Sequence, residues 1–349
     1  MSILSNPTPA SSTPPDSAEV RERVARFLQA QTRIKEEVHK VIVGQDDVIE
    51  SVLISLFVGG HCLLTGLPGT AKTLLVRTLA RALGLKFNRI QFTPDLMPSD
   101  ITGTDIIEEN KTTGQRMWTF VPGPIFSNVL LADEINRTPP KTQSALLEAM
   151  QELTCTVRGN QYKIEAPFFV LATQNPIELE GTYPLPEAQL DRFLFNAVLD
   201  YLPADQEMRV VDLTTTTRVA AAETVTSGEE IRDFQQLVRM TPVAESVARY
   251  AVDLVRATRP TAQNGEAPDF VKKYVNFGAS VRAAQFLVLA SKARALMHGR
   301  FHVAYEDIRA LAAPVLRHRV LLNFHAESER LNTDELLRRL LEFKPTPRA

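Results

Sequence analysis

Apolar residues change their spacing along the chain, and the change divides the sequence into two predicted domains. Between residues 61 and 202, short apolar runs such as CLLTG, NVLLAD and FFVLAT alternate with stretches of helical period. Parallel strands joined by crossover helices produce this alternation, so an α/β domain is predicted over residues 17–213. Beyond residue 227 the period is helical almost throughout, which predicts an all-α domain over residues 228–345.

Two segments outside these domains contain few large apolar residues. Residues 1–16 are rich in Ser, Thr and Pro, and we expect a disordered tail because they cannot bury enough surface to offset the entropy lost on ordering. The Thr-rich residues 214–227 are predicted to link the two domains. Inside the first domain, two alternating runs around Gly159 and Asn160 predict a β-hairpin over residues 153–165.

The charge and cysteine content narrow the class of protein. The 39 Lys and Arg residues nearly balance the 41 Asp and Glu residues, so no whole-chain field attracts nucleic acid or anionic lipid. Two cysteines argue against a disulfide framework, and no apolar run approaches the length of a membrane span. The N-terminal residues also lack the features of a signal peptide. We therefore expect a cytoplasmic protein.

The segment CLLTGLPGTAKTLLVRTLARAL predicts a strand, a tight loop and a helix, the context in which a Walker A match is meaningful. Gly66 and Gly69 allow backbone N–H groups to turn toward phosphate oxygens at the positive end of the helix. Lys72 is expected to reach the β- and γ-phosphates of ATP, and the Thr73 hydroxyl to coordinate Mg²⁺. Ala71 departs from the usual pattern, in which a second Gly stands there. A simple turn followed by a surface Lys is the alternative.

Two later strands end in polar residues that suit phosphoryl transfer. NVLLADEINR has the form of a Walker B element, in which Asp133 would hold Mg²⁺ and Glu134 would deprotonate the attacking water. Asn175, at the end of FFVLATQNP, could contact both that water and the γ-phosphate. Taken alone, the carboxylates could be a solvated strand end, and Asn175 could belong to an ordinary Asn-Pro turn.

Two arginines are candidate sensors of the nucleotide. Arg192 lies away from the helix that follows the phosphate loop, so we expect it to act in trans on a neighbouring copy, which requires a ring. Arg282 lies in the first turn of a helix capped by Ser280, where a cation opposes the helix dipole. We expect it to sense the phosphates in cis. The alternatives are an ion pair between Asp191 and Arg192, and a solvent-facing Arg282.

Taken in order, GLPGTAKT, LLADEINR, ATQNP, LPEAQLDRF and GASVRA resemble the MoxR family of AAA+ ATPases, from about residue 20 to residue 343. The resemblance implies an AAA+ αβα core with a five-stranded parallel sheet, an all-α lid domain, ATP and Mg²⁺ as ligands, and a homo-oligomeric ring that is usually hexameric. It departs from the family at Val281, where Pro is common. The residues expected to bind the nucleotide are Val43, Gly44, Gln45, Gly66, Pro68, Gly69, Thr70, Ala71, Lys72, Thr73, Leu74 and Asp133, with Thr73 and Asp133 also on the metal.

The resemblance also implies an insertion in the second helix, for which residues 94–126 are the candidate. Insertions of this kind face a central pore or a client, so Trp118 and Phe120 are candidates for client contact; core packing of both rings is the alternative. Family members act as chaperone-like remodelers that activate partners, for example by metal cofactor insertion. A partner with a von Willebrand factor A domain often accompanies them.

Three other functions are weighed against this one. A nucleic-acid motor needs dense positive charge, and the predicted hairpin offers only Arg158 and Lys163 as cations, so nucleic acid is not the expected partner. The ATPase subunit of a metal chelatase would share the same core and differ in its client. A nucleotide-gated scaffold would bind ATP without turnover, and it would need neither Glu134 nor Arg192.

Overall fold

A computed structural model describes residues 18–67, 69–109, 116–175, 181–216, 221–261 and 267–346. The predicted tail at residues 1–16 lies outside this part of the chain, as do Pro68, residues 110–115 of the predicted insertion and residues 217–220 of the predicted linker.

The described residues alternate strands and helices in the first half and are mainly helical in the second. The strands are β1 (Cys62–Gly66), β2 (Phe87–Gln91), β3 (Gly103–Glu109), β4 (Arg116–Pro122), β5 (Val129–Asp133), β6 (Thr154–Val157), β7 (Asn160–Lys163), β8 (Phe169–Gln174), β9 (Phe195–Leu199), β10 (Val275–Phe277) and β11 (Leu321–Leu322). The helices of the first half are α1 (Ala18–His39), α2 (Asp46–Val58), α3 (Lys72–Ala82), α4 (Pro98–Thr102), α5 (Pro140–Glu152), α6 (Glu187–Leu190) and α7 (Ala204–Thr214). Those of the second half are α8 (Gly228–Met240), α9 (Glu245–Ala257), α10 (Asp269–Tyr274), α11 (Val281–Met297), α12 (Tyr305–Leu316), α13 (Phe324–Ser328) and α14 (Thr333–Phe343).

Five parallel strands form the central sheet in the order β2-β5-β8-β1-β9, which confirms the predicted α/β class. Side chains alternate between its faces: Leu63 and Leu130 pack with α5, whereas Leu64 and Leu131 pack with α2 and α3. Both faces are therefore buried, as a parallel sheet requires. The carboxyl ends of all five strands lie along one edge of the sheet.

The helical lid comprises α8 to α14, and β10 and β11 add a short antiparallel pair to it. Its hydrophobic core continues into that of the first domain. At the junction, the ring of Phe27 in α1 lies 4.9 Å from that of Phe57 in α2 and 5.2 Å from that of Phe234 in α8, measured between centroids. Helix α1 thus holds the lid against the sheet domain.

Two hairpins lie on the face of the sheet that packs with α5, opposite the face that packs with α2 and α3. Strands β6 and β7 pair antiparallel, and their turn is at Arg158 and Gly159, which both have positive φ (49° and 84°). Both residues of a type I′ hairpin turn have this conformation, so Asn160 is the first residue of β7 rather than part of the turn. Strands β3 and β4 form the second hairpin, within the predicted insertion.

The two hairpins contact each other through aromatic rings. Phe120 stacks on Tyr162 with 3.8 Å between centroids, and the guanidinium of Arg158 lies 4.3 Å from the centroid of Trp118. Trp118 is nevertheless 59% exposed, whereas Phe120 is half-buried. Of the two rings considered for client contact, Trp118 is thus the accessible one.

Candidate functional site

The loop between β1 and α3 is shaped by glycines and by its lysine. A Cβ on Gly66 would lie 2.6 Å from the carbonyl oxygen of Leu199, so glycine lets β1 run beside β9 at this point. Gly69 has φ +83°, in the left-handed region that favours glycine. The Lys72 ammonium donates to the carbonyl oxygens of Gly66 (2.5 Å) and Leu67 (3.3 Å). The lysine therefore lies across the loop from which its helix begins.

Ala71 occupies the position at which the usual pattern has its second glycine. Its backbone is left-handed (φ 60°, ψ 23°), and it directly precedes α3. An L-residue in this conformation costs roughly 1–2 kcal/mol because Cβ approaches the following carbonyl oxygen. The loop thus needs the glycine-like conformation, and alanine supplies it under strain.

Asp133 is the last residue of β5, and its carboxylate is buried and fully engaged. One oxygen accepts a hydrogen bond from the Thr173 hydroxyl (2.6 Å), and the other accepts from the Arg89 guanidinium (2.7 and 3.1 Å). Arg89 comes from β2, which pairs with β5 so that Gln91 lies opposite Asp133. Sequence reasoning did not identify Arg89 or Thr173, since the strand order that brings them here was not known.

Glu134 follows at the sheet edge in a left-handed conformation (φ 58°). Its backbone N–H donates to the Thr173 hydroxyl (2.8 Å), and its carboxylate accepts from Gln91 Nε2 (2.8 Å) and Arg137 Nε (3.1 Å). Strained non-glycine residues concentrate at functional sites, and the surrounding bonds hold this one in place.

Two adjoining cavities open along this edge of the sheet. The more polar one, of about 530 Å³, contains the five residues predicted to perform the chemistry. The more apolar one, of about 410 Å³, lies on the other side of the loop and shares four residues with it. The polar cavity is lined by Gly69, Thr70, Ala71, Lys72, Thr73, Leu74, Asp133, Glu134, Thr173 and Asn175, of which the first three and Leu74 also line the apolar cavity.

The apolar cavity has two walls. Val43 and Gln45 belong to the first wall, whereas Gly44 is not among the lining residues. The second wall consists of the end of β9 and the length of α7, including Tyr201 and Val210. Sequence reasoning missed this second wall and assigned residue 214 to the linker, but α7 continues to Thr214. A cavity of a few hundred Å³ with apolar walls beside an anion-binding loop suits a nucleobase and its phosphates.

The charged groups of the polar cavity act on one another. Burial lowers the pKa of Lys72 below its ordinary value, while the negative charges of Asp133 and Glu134 oppose that shift. Lys72, Asp133 and Glu134 therefore form one electrostatic unit.

The two candidate sensor arginines lie away from these cavities. Arg192 precedes β9 and donates to the carbonyl of Leu147 in α5 (2.9 Å). Arg282 pairs with Asp191 (3.3 Å), and the Ser280 hydroxyl donates to the same carboxylate oxygen (3.0 Å). Neither arginine is among the residues that line the two cavities in the described part of the chain. Asp191 and Ser280 thus hold the start of α11 beside Arg192, and the expected cis role of Arg282 stays a prediction.

A five-stranded parallel sheet in this order, a lysine-bearing loop after β1 and an attached helical lid define a P-loop protein of the AAA+ class. Residues 61–195 match the model of the ATPase family associated with various cellular activities, and residues 269–340 match that of the AAA lid domain. Among the described residues, no helix has the length and apolar character needed to cross a membrane.

Several known proteins resemble nearly the whole chain. The chaperone MoxR1 of Mycobacterium tuberculosis is 41% identical over 98% of this chain and 88% of its own length. Protein MoxR of Paracoccus denitrificans is 32% identical over 86% of this chain and 89% of its own length. The crystal structure of a Cytophaga hutchinsonii protein, whose name proposes an ATPase, has a TM-score of 0.86 at 41% identity and covers 95% of this chain and 98% of its own. The chain belongs to the MoxR family of AAA+ ATPases.

Proposed function

We propose that the chain hydrolyses ATP with Mg²⁺ as one subunit of a hexameric ring and uses the turnover to remodel or activate a partner protein. The observation that carries the proposal is the convergence of Lys72, Thr73, Asp133, Glu134 and Asn175 on one cavity. They come from two strand ends and one helix start, and an apolar cavity of the right size for a base adjoins them.

The residues present fit both ATP and its metal. The base would lie between Val43 and Val210, and the triphosphate would extend along the start of α3 toward Lys72. Thr73 and Asp133 offer the hydroxyl and carboxylate oxygens that Mg²⁺ prefers. When bound, Mg²⁺ supplies positive charge that offsets the charge developing on the phosphoryl oxygens. Arg89, which now holds Asp133, would compete with the metal for that carboxylate.

Glu134 is the proposed general base. Its carboxylate lines the polar cavity, and Gln91 and Arg137 orient it there. It would accept a proton from the water that attacks the γ-phosphorus in line with the leaving oxygen. Asn175, buried directly after β8, would hold that water and the phosphate in register.

Arg192 and Arg282 are proposed to act together on a neighbouring subunit's nucleotide. They lie on either side of Asp191, outside the cavities of their own subunit. A guanidinium supplied by a neighbour would stabilise charge on the γ-phosphate and make turnover depend on assembly. For Arg282 this proposal differs from the cis role expected from the sequence, and neither role has been tested.

Two variants test the proposed ATPase. We expect Glu134→Gln to bind ATP and to lose about 10²–10⁴-fold in turnover, as the loss of a general base does. Arg192→Ala should lose about 10³–10⁵-fold. Turnover is measured as phosphate release with and without a chelator of Mg²⁺, and binding with a fluorescent ATP analogue. Full turnover by Glu134→Gln would refute the proposed mechanism.

Mixing the same two variants tests the shared site. A site with the loop of an Arg192→Ala subunit and the arginine of a Glu134→Gln subunit is complete, so the mixture should exceed the sum of its components. No gain on mixing would contradict catalysis in trans.

The remodelling role rests on the family and on the name of a chaperone relative. We propose a protein partner, with a von Willebrand factor A domain protein as the leading candidate, in the cytoplasm, where the two free buried cysteines stay reduced. Capture with ATP-loaded Glu134→Gln, compared with the nucleotide-free protein, tests it. A partner retained equally in both samples would argue against ATP-driven remodelling.

A further inference from the structure

Three consecutive residues after α12 hold the backbone on both sides of Arg192. We propose that this RHR clamp, Arg317, His318 and Arg319, is a positioning element that sets the direction of the Arg192 side chain, with Arg319 as its main member. The inference rests on the proposed role of Arg192 in trans. The clamp belongs to the lid, whereas Arg192 belongs to the sheet domain.

Arg319 makes the most extensive contacts. Its side chain is only 2% exposed, and its Nε donates to the Asp191 carboxylate (2.7 Å). Its other nitrogens donate to the carbonyl oxygens of Asp191 (2.9 Å) and Leu194 (3.3 Å), and also to that of Phe193. Burial lowers the pKa of Arg319 to about 10, and the Asp191 carboxylate opposes the shift, so the guanidinium remains charged at neutral pH.

The two preceding residues of the clamp also donate to backbone carbonyls of the same segment. Buried His318 contacts the carbonyl of Phe193 through Nε2 (3.1 Å). Burial lowers the pKa of His318 well below its ordinary value, so the neutral ring donates through Nε2–H. Arg317 donates to the carbonyl of Asn196 (2.6 Å), and its guanidinium also pairs with Asp334 (2.7 Å).

The lid thus supplies donors to the carbonyls of residues 191, 193, 194 and 196, which flank Arg192. Buried carbonyls that lose their donors cost free energy, so the segment would shift to regain hydrogen bonds if Arg319 were shortened. A displacement of about 1 Å in a catalytic group can cost about 100-fold in rate. The clamp therefore has the geometry needed to position Arg192, the arginine proposed to act on a neighbouring subunit's nucleotide.

Kinetics of Arg319→Gln give the first test. We expect kcat to fall about 100-fold, while the KM for ATP changes by less than about twofold because the subunit's own loop is untouched. Arg309→Gln is the matched control. Arg309 also donates to backbone carbonyls of the lid, those of Leu341 and Lys344, but touches none of residues 191–196, so its kcat should stay near that of the parent.

Mixing distinguishes positioning from general damage. If Arg319 positions Arg192, Arg319→Gln should regain turnover when mixed with Glu134→Gln and should not regain it with Arg192→Ala. The reverse pattern would place the defect in the variant's own loop and would overturn the inference. The same two mixtures with Arg319→Lys decide the matter if Arg319→Gln fails to fold. Failure of the Glu134→Gln and Arg192→Ala mixture would instead refute the shared site itself.

Discussion

Ala71 and Glu134 both hold left-handed backbone conformations that glycine adopts more easily. Both residues line the polar cavity, one directly before α3 and the other directly after β5. Strain at such positions persists only when neighbouring contacts over-determine the backbone. At the residue scale, the site thus depends on left-handed backbone conformations as well as on side-chain chemistry.

The strain at Ala71 leads to a prediction about stability. Ala71→Gly should raise the free energy of unfolding by up to about 1 kcal/mol, since relief of the Cβ contact outweighs the added freedom of the unfolded chain. ATP binding should persist. Leu153→Gly is the control, because Leu153 is also left-handed (φ 51°) but ends α5 away from the cavities. Chemical denaturation measures both, and a lower stability for Ala71→Gly would contradict the strain.

Residue types predicted much of the site and little of its support. Lys72, Thr73, Asp133, Glu134 and Asn175 could be identified because phosphoryl transfer needs those chemical groups after strands, and the structure brings them to one cavity. Arg89 and the wall of α7 could not be identified. Their positions depend on which strand lies beside β5 and on how far a helix continues, and neither is encoded in local spacing.

At the scale of elements, the two hairpins are joined by contacts between their aromatic side chains. Strand β6 follows α5, which begins shortly after Glu134, and β7 leads into β8, which ends beside Asn175. The second hairpin is attached to this path by the Phe120 and Tyr162 stack and by Arg158 over Trp118. Movement at the proposed nucleotide site would therefore have a direct route to the exposed ring of Trp118.

The stack predicts a measurable coupling between the hairpins. Phe120→Leu and Tyr162→Leu should each speed amide exchange in β4, and the double variant should show a coupling of about 0.5–1.5 kcal/mol. Trp118 is the sole tryptophan of the chain, so its fluorescence reports its own contact with Arg158, which joins the same two hairpins. Phe270→Leu with Phe343→Leu, an edge-to-face pair in the lid, is the control and should leave β4 unchanged. Strict additivity would show that the hairpins move independently.

At the scale of the whole molecule, the proposed trans role of the arginines divides the site between copies. Turnover per subunit should then fall on dilution of the parent protein, as neighbours separate, while binding of ATP should fall less because the cavities belong to one chain. Phosphate release across a dilution series, with subunit association followed by light scattering, measures this. Constant turnover in fully separated subunits would contradict the divided site.

The placement of the lid was beyond reach of the sequence. Helical period predicted its helices, and the sheet domain followed from alternating runs, but the side on which the lid packs depends on contacts among Phe27, Phe57 and Phe234. These residues are far apart in the sequence and belong to three separate helices. The location of Arg282 relative to the cavities therefore could not be predicted from local sequence, whereas the role expected for Lys72 follows from the chemistry of its own loop.

The unbroken core between sheet domain and lid has a mechanical consequence. Swinging the lid away within one subunit would expose Phe27, Phe57 and Phe234, each of which contributes about 1.5–3 kcal/mol when fully buried. Each subunit is therefore expected to move as one rigid body. The flexibility of a ring would then lie at the interfaces between subunits. Conformational changes of the proposed ring would then be changes in the angle at the interfaces between subunits, transmitted from one copy to the next.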